Sequence, residues 1–270
     1  MGKTSDRAAA RINLHIHSTF SDGLMHPEKI IEEGIAEGLT CIGFAEHFRS
    51  LKLARGSCLE PDDVASYVTS IKSLAVRYED RINVFAGLEI AFSYLLTDFT
   101  SLRLGSDQYD LTRVLDYILF EYVGDPQWAG MDLPELLRLR PIIKIPVGLA
   151  HCDFEKNFSN RIPARELAVL LARNRIFLEL CPSPRNARMM PRKAGEGPED
   201  LTTIPYYRID SPYVHLFFEA ARAEGVLLSV GSDAHNQPNE VADIDDALEF
   251  IFSRGLEKQV ITPEDLKEEP

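Results

Sequence analysis

The sequence predicts an α/β fold: a closed or nearly closed parallel barrel of seven strand–helix repeats. Three observations predict it. Seven short apolar runs alternate with amphipathic stretches between residues 11 and 254, the pattern of a parallel sheet with helical crossovers. No GxGxxG or GxxxxGK[ST] segment occurs, so the signatures of a dinucleotide or phosphate-loop sheet are missing. Each apolar run ends at a histidine, aspartate or glutamate, on the side of a parallel barrel where sites are built.

The elements follow in order. Residues 11–15 form the first strand. A helix over 27–37 has Pro27 in its first turn and Gly38 at its end, both favoured at those positions. The second strand covers 40–45. A helix over 61–78 has Glu60 and Asp62 near its amino terminus, where the helix dipole favours negative charge. The third strand covers 82–88, and the polar stretch 94–110 is a long loop with a short helix. The fourth strand spans 115–122 and a short helix spans 133–140. Strand five (146–150), a helix (163–174) and strand six (176–180) come next. Residues 185–207 are rich in Pro, Gly and charge and form a long surface loop, a length usually tied to function. A helix over 212–224 ends at Gly225, strand seven covers 226–230, and the last helix covers 240–254. One domain is expected over the 270 residues, with a core of about 11–255.

The strand ends carry the chemistry. His15 and His17 are two apart at the first, so in a strand both rings point to one face. By itself such a pair reads equally as solvated histidines. Asp22 follows in a tight Ser21-Asp22-Gly23 turn, with Gly23 available for a positive φ. The later ends present Glu46 and His47, Glu89, Glu121, His151, Glu179, and Asp233 with His235. Five of the seven histidines lie at these places, His26 and His215 being the exceptions. Glu46 and Glu179 read either as partners of ligating groups or as simple loop polar residues.

Imidazole and carboxylate without clustered thiolates suit Zn, Mn or Fe. The donors outnumber the needs of one tetrahedral ion, so two or three divalent ions sharing a bridging carboxylate are expected. Such a cluster clamps a phosphoryl group and activates water as the nucleophile, which points to phosphoester hydrolysis. Cys152 and Cys181 adjoin the site and are read as packing residues.

Composition bounds the rest. The formal net charge is −13, unlike a protein that grips nucleic-acid phosphates. No apolar run reaches the ~18 residues of a membrane span. The opening segment MGKTSDRAAARIN has no apolar signal core. Four cysteines without a CxxC pair are expected as reduced thiols, so a cytoplasmic setting is expected, with no nucleic-acid or membrane partner.

The ordered set His15-x-His17 with Ser21-Asp22-Gly23, then His47, Glu89, His151 and Gly231-Ser232-Asp233-Ala234-His235 resembles the PHP (polymerase and histidinol phosphatase) family. The resemblance implies a distorted (β/α)7 barrel and up to three metal ions. It implies His15, His17, Glu89 and Asp233 at a first ion, and Glu89 bridging to a second with His151. Asp22, His47 and His235 would hold a third. Asp233, His235 and Glu89 are the residues expected to serve catalysis as well as metal. The segment DYILFEYV has Val123 where relatives have a histidine, and AEH replaces the common TDH. Glu121 shares a strand face with Val123 and is expected as a replacement ligand. Arg185 and Arg208 are expected to meet substrate phosphate, which guanidinium binds bidentately.

The expected activity is hydrolysis of a small-molecule phosphate monoester, with histidinol phosphate one candidate. Two alternatives stay open at this point: a metal-dependent amide hydrolase, and a metal-binding module of this family with weak or no catalysis. The first lacks a lysine at a strand end, since Lys144 precedes the fifth strand.

Overall fold

The structure, a computed structural model, describes residues 11–48, 50, 53, 56–95, 110, 113–182 and 205–267. Its centre is one sheet of seven parallel strands in sequence order. These are β1 Ile12–Ile16, β2 Cys41–Phe48, β3 Asn83–Ala91, β4 Tyr117–Glu121, β5 Val147–Leu149, β6 Ile176–Leu180 and β7 Leu228–Val230. The eight helices among the described residues are α1 Pro27–Ala36, α2 Val64–Arg77, α3 Leu133–Leu139, α4 Phe154–Phe158, α5 Ala164–Arg173, α6 Pro212–Glu224, α7 Asp245–Ser253 and α8 Pro263–Lys267.

The sheet curls until its edges meet. The Asp233 N–H donates to the His15 carbonyl at 2.7 Å, and the His17 N–H donates to the Ala234 carbonyl at 3.0 Å. Asn13 pins the same seam: its Nδ2 reaches Ser232 Oγ and the Val241 carbonyl, both at 2.7 Å. The barrel is therefore nearly closed, and the seam lies beneath two of the expected ligand segments.

Register places the interior layers. His47 pairs with Glu89, Glu89 with Leu119, and Leu119 with Gly148, so these residues share one level. One layer below, Tyr117 fills the middle of the barrel and donates to the Leu14 carbonyl at 2.7 Å. Gly43 and Gly87 make room for it, because a Cβ at either would fall 2.5 or 2.4 Å from the Tyr117 side chain. The metal-ligand candidates thus sit on a packed floor rather than over a channel.

Some boundaries differ from the sequence reading. β2 runs on to Phe48, so Glu46 and His47 lie inside a strand. α2 starts at Val64 after a turn, not at Pro61. The last expected helix starts at Asp245, preceded by a separate 3-10 turn at Pro238–Glu240. Helix α4 is an addition, capped by Asp153, whose carboxylate accepts from the Lys156 N–H. The core also continues past residue 255: Val260, Ile261 and Leu266 are buried, and Ile261 donates to the Leu228 carbonyl. Gly23 is another correction. It is not among the glycines with positive φ; it is required because a Cβ there would fall 2.4 Å from the His17 carbonyl oxygen. Among the described residues no helix is long and apolar enough to cross a membrane.

Candidate metal centre

The strand ends bring the expected donors together. His15 Nε2 stands 3.0 Å from His17 Nε2 and 3.6 Å from both Glu89 Oε2 and Asp233 Oδ1. His17 Nε2 stands 3.7 Å from that Glu89 oxygen and 3.2 Å from the Asp233 oxygen. A four-coordinate ion with bonds of 2.0–2.1 Å spaces its donors by about 3.4 Å. The His15, His17 and Asp233 donors fit that spacing as one grouping, with Glu89 Oε2 beside the two imidazoles.

A second grouping has Asp22 at its centre. Its Oδ1 lies 3.3 Å from His235 Nε2, 3.7 Å from His47 Nε2 and 3.9 Å from His17 Nδ1. Among the described residues, buried His17 Nδ1 and Asp22 Oδ1 have no hydrogen-bond partner. A buried polar atom left unpaired is costly; an ion at Asp22 removes that cost for Asp22 Oδ1, whereas a neutral His17 that ligates through Nε2 keeps its proton on Nδ1 and adds no ligating atom there. Two further groupings, His15 with Glu89 and His151, and His47 with Glu89 and Glu121, each have donor atoms within 4.8 Å of one another. Glu89 belongs to both. Its Oε1 meets His151 Nε2 at 2.6 Å and its Oε2 meets His47 Nδ1 at 2.8 Å, the arrangement of a bridging carboxylate.

Backbone geometry serves the same end. His151 and Asp233 have φ of 29° and 58°, uncommon for residues with a Cβ. Such strain gathers at functional sites, and here it turns each side chain inward as its strand ends. The His235 ring nitrogen Nδ1 lies 2.7 Å from the Asp233 carbonyl, leaving Nε2 to face Asp22. The His17 ring is stacked between His47 and His235, with centroids 4.2 Å away on each side.

The electrostatics divide the imidazoles. Burial, with His235, His47 and His15 close by, holds His17 well below the ordinary imidazole pKa, so it is neutral, the ligating form. Burial also opposes a proton on His15, but the carboxylates of Glu179 and Glu89 outweigh it and raise its pKa to about 9. For His47 burial is likewise outweighed, chiefly by Glu89, and the pKa rises. Burial pushes the Asp22 carboxyl up, but His235 and His47 beside it bring the pKa below its ordinary value.

Two carboxylates left open by the sequence have definite places. Glu179 Oε1 lies 2.7 Å from His15 Nδ1, and its Oε2 accepts from the His151 N–H at 2.6 Å. It orients two candidate ligands at once. Glu46 accepts from the Ser18 N–H, the Ser18 hydroxyl and the Ser21 hydroxyl, and so holds the turn that carries Asp22. The serines were the available signal, since their role depends on a carboxylate 25 to 28 residues away in sequence. Cys41, Cys152 and Cys181 are buried free thiols; Cys152 packs against Asn157.

The expected substrate arginines are not both placed. Arg185 lies outside the described residues. Arg208 is not brought to the cluster; its guanidinium is held by Asp246 at 2.8 Å and Glu249 at 3.1 Å, both on α7.

A parallel seven-stranded barrel whose carboxyl-terminal rim gathers His/Asp/Glu groupings able to hold metal ions is the architecture of a metal-dependent hydrolase family. The chain belongs to the PHP domain family, whose model matches residues 13–182. It is similar in structure to the histidinol phosphate phosphatase of Lactococcus lactis subsp. lactis, solved with Zn, L-histidinol and phosphate. That match has 19% identity, TM-score 0.52, and covers 90% of this chain and 93% of the other. It is also similar to the putative histidinol phosphatase of Listeria monocytogenes, at 13% identity, TM-score 0.55, and coverage of 86% and 97%. At these identities the likeness speaks for the fold. No curated protein matches the chain by sequence.

Proposed function

We propose that the chain hydrolyses a small-molecule phosphate monoester, with histidinol phosphate the first substrate to test. One observation carries this reading: the donors divide into a sealed floor and an open rim. The side chains of His15, His17 and Glu89 are fully buried, whereas those of Asp22, His235 and His151 are 20%, 20% and 14% exposed. A phosphoryl group entering from the mouth meets the exposed donors first.

Divalent ions held by the histidine and carboxylate groupings would supply Lewis acidity toward a phosphoryl oxygen and acidify water. The protein's own residues supply position. Glu89 ties the His47 and His151 sides together through its two oxygens. Asp233 contributes to the floor, and its carbonyl sets the His235 ring so that Nε2 faces the mouth. These are the three residues to which the catalytic role is given. Arg185 is the proposed phosphate contact; Arg208 is held by Asp246 and Glu249 and is not given that role. The Lactococcus relative, with its bound L-histidinol and phosphate, supports the substrate class. The net charge of −13 supports a small substrate over nucleic acid.

The test is a panel of phosphate esters and amides, with Mn, Zn, Fe and Mg each returned to the metal-free protein. Turnover of phosphate monoesters, lost in Asp233→Ala with the circular dichroism spectrum kept, is the expected result. Hydrolysis of amides alone, or full metal content without turnover of any ester, overturns it.

A further inference from the structure

The four donor groupings are not chemically alike. The one around Asp22 offers three imidazoles and one carboxylate, and the His15–His17–Asp233 and His15–Glu89–His151 groupings each offer two imidazoles and one carboxylate. The grouping His47–Glu89–Glu121 reverses the balance, with two carboxylates and one imidazole.

Glu121 reaches this place by register. It is the last residue of β4 and pairs with Ala91, two residues beyond Glu89 on β3. Side chains alternate along a strand, so Tyr117, Leu119 and Glu121 share the interior face, and Glu121 stands one layer above Glu89. It is 1% exposed. Two buried carboxylates side by side repel unless a proton or a cation lies between them. His47, itself 4% exposed, presents Nδ1 to the same space. That nitrogen is 2.8 Å from Glu89 Oε2 but out of line for an N–H···O bond, and it has no hydrogen-bond partner among the described residues.

We infer that Glu121, Glu89 and His47 Nδ1 form a distinct, carboxylate-rich ion position beside the histidine-rich positions, the one at which a harder divalent cation such as Mn²⁺ competes best with Zn²⁺. Oxygen donors suit Mn²⁺ and Mg²⁺, whereas imidazole suits Zn²⁺ and Fe²⁺. The centre is then of mixed metal type, and Glu121 makes it so. This inference rests on the metal centre and not on the proposed reaction, because its test uses no substrate.

Metal-free protein is loaded with two equivalents of Zn²⁺ and then titrated with Mn²⁺, following the loss of the free Mn²⁺ signal by electron paramagnetic resonance. Bound metals are counted by mass spectrometry. The unaltered chain is expected to take up one Mn²⁺ on top of its two Zn²⁺. Glu121→Ala and the near-isosteric Glu121→Gln are expected to bind that Mn²⁺ at least tenfold more weakly while retaining both Zn²⁺. If Glu121→Ala misfolds, Glu121→Gln decides the matter alone. Uptake of Mn²⁺ by both variants with the affinity of the unaltered chain overturns the inference, as does failure of the unaltered chain to take up any Mn²⁺.

Discussion

His15 and Glu179 form a buried pair across the barrel, from β1 to β6, with Nδ1 and Oε1 2.7 Å apart. The pairing decides which nitrogen of His15 serves metal. With Nδ1–H given to Glu179, Nε2 is left to face His17, Glu89 and Asp233. The other Glu179 oxygen takes the His151 N–H, so one carboxylate sets ligands of two groupings.

Glu179→Ala is therefore expected to weaken metal binding about 10- to 100-fold, the usual cost of losing a partner behind a ligand. Competition against a chromophoric Zn²⁺ chelator measures it. Affinity equal to that of the unaltered chain would remove Glu179 from the centre.

Gly231 guards the same pair. A Cβ there would fall 2.2 Å from Glu179 Oε1 and 2.4 Å from His15 Cβ. Gly231→Ala should destabilise the fold by about 1–3 kcal/mol, the range for overpacking, and weaken metal binding as well. Urea denaturation with and without Zn²⁺ reads both effects.

The pair also fixes a pH dependence. In the metal-free chain the pKa of His15 is raised from 6.5 to about 9. A raised folded-state pKa stabilises the fold fully below the unfolded value of 6.5, and that contribution is lost as pH rises through about 9. Metal requires the neutral ring, so uptake between these values displaces a proton from His15, and affinity falls on acidification. Calorimetry in buffers of different ionisation enthalpy at about pH 7.5 should show that proton, and Glu179→Gln should reduce it.

Arg208 offers a test of a different kind. Its pairs with Asp246 and Glu249 involve partly exposed groups, whose loss typically costs up to about 1 kcal/mol. Arg208→Ala should show a small loss of stability with KM changed less than twofold. A severalfold rise in KM at unchanged stability would return Arg208 to the substrate.

Much of the architecture was legible in the sequence because it depends on local pattern. The alternation of apolar strands with amphipathic helices, and the side chain at each strand's end, follow from period-2 and period-3.6 geometry. His15, His17, His47, Glu89, His151, Asp233 and His235 stand at or near strand ends by that pattern alone, whatever lies across the barrel. What the pattern cannot contain is the angle and depth of each side chain around the axis. Those depend on the offset between strands and on closure of the sheet. The β1–β7 seam sets Asp233 against His15. Register sets Glu121 one layer above Glu89, in the grouping with His47 rather than the one with His151. Glu46 and Glu179 became orienting groups only when folding brought Ser18 and His15 within hydrogen-bond reach. The sequence determined which residues stand at the strand ends. Which of them share an ion is a question of ångström-scale distance, and only the closed barrel decided it.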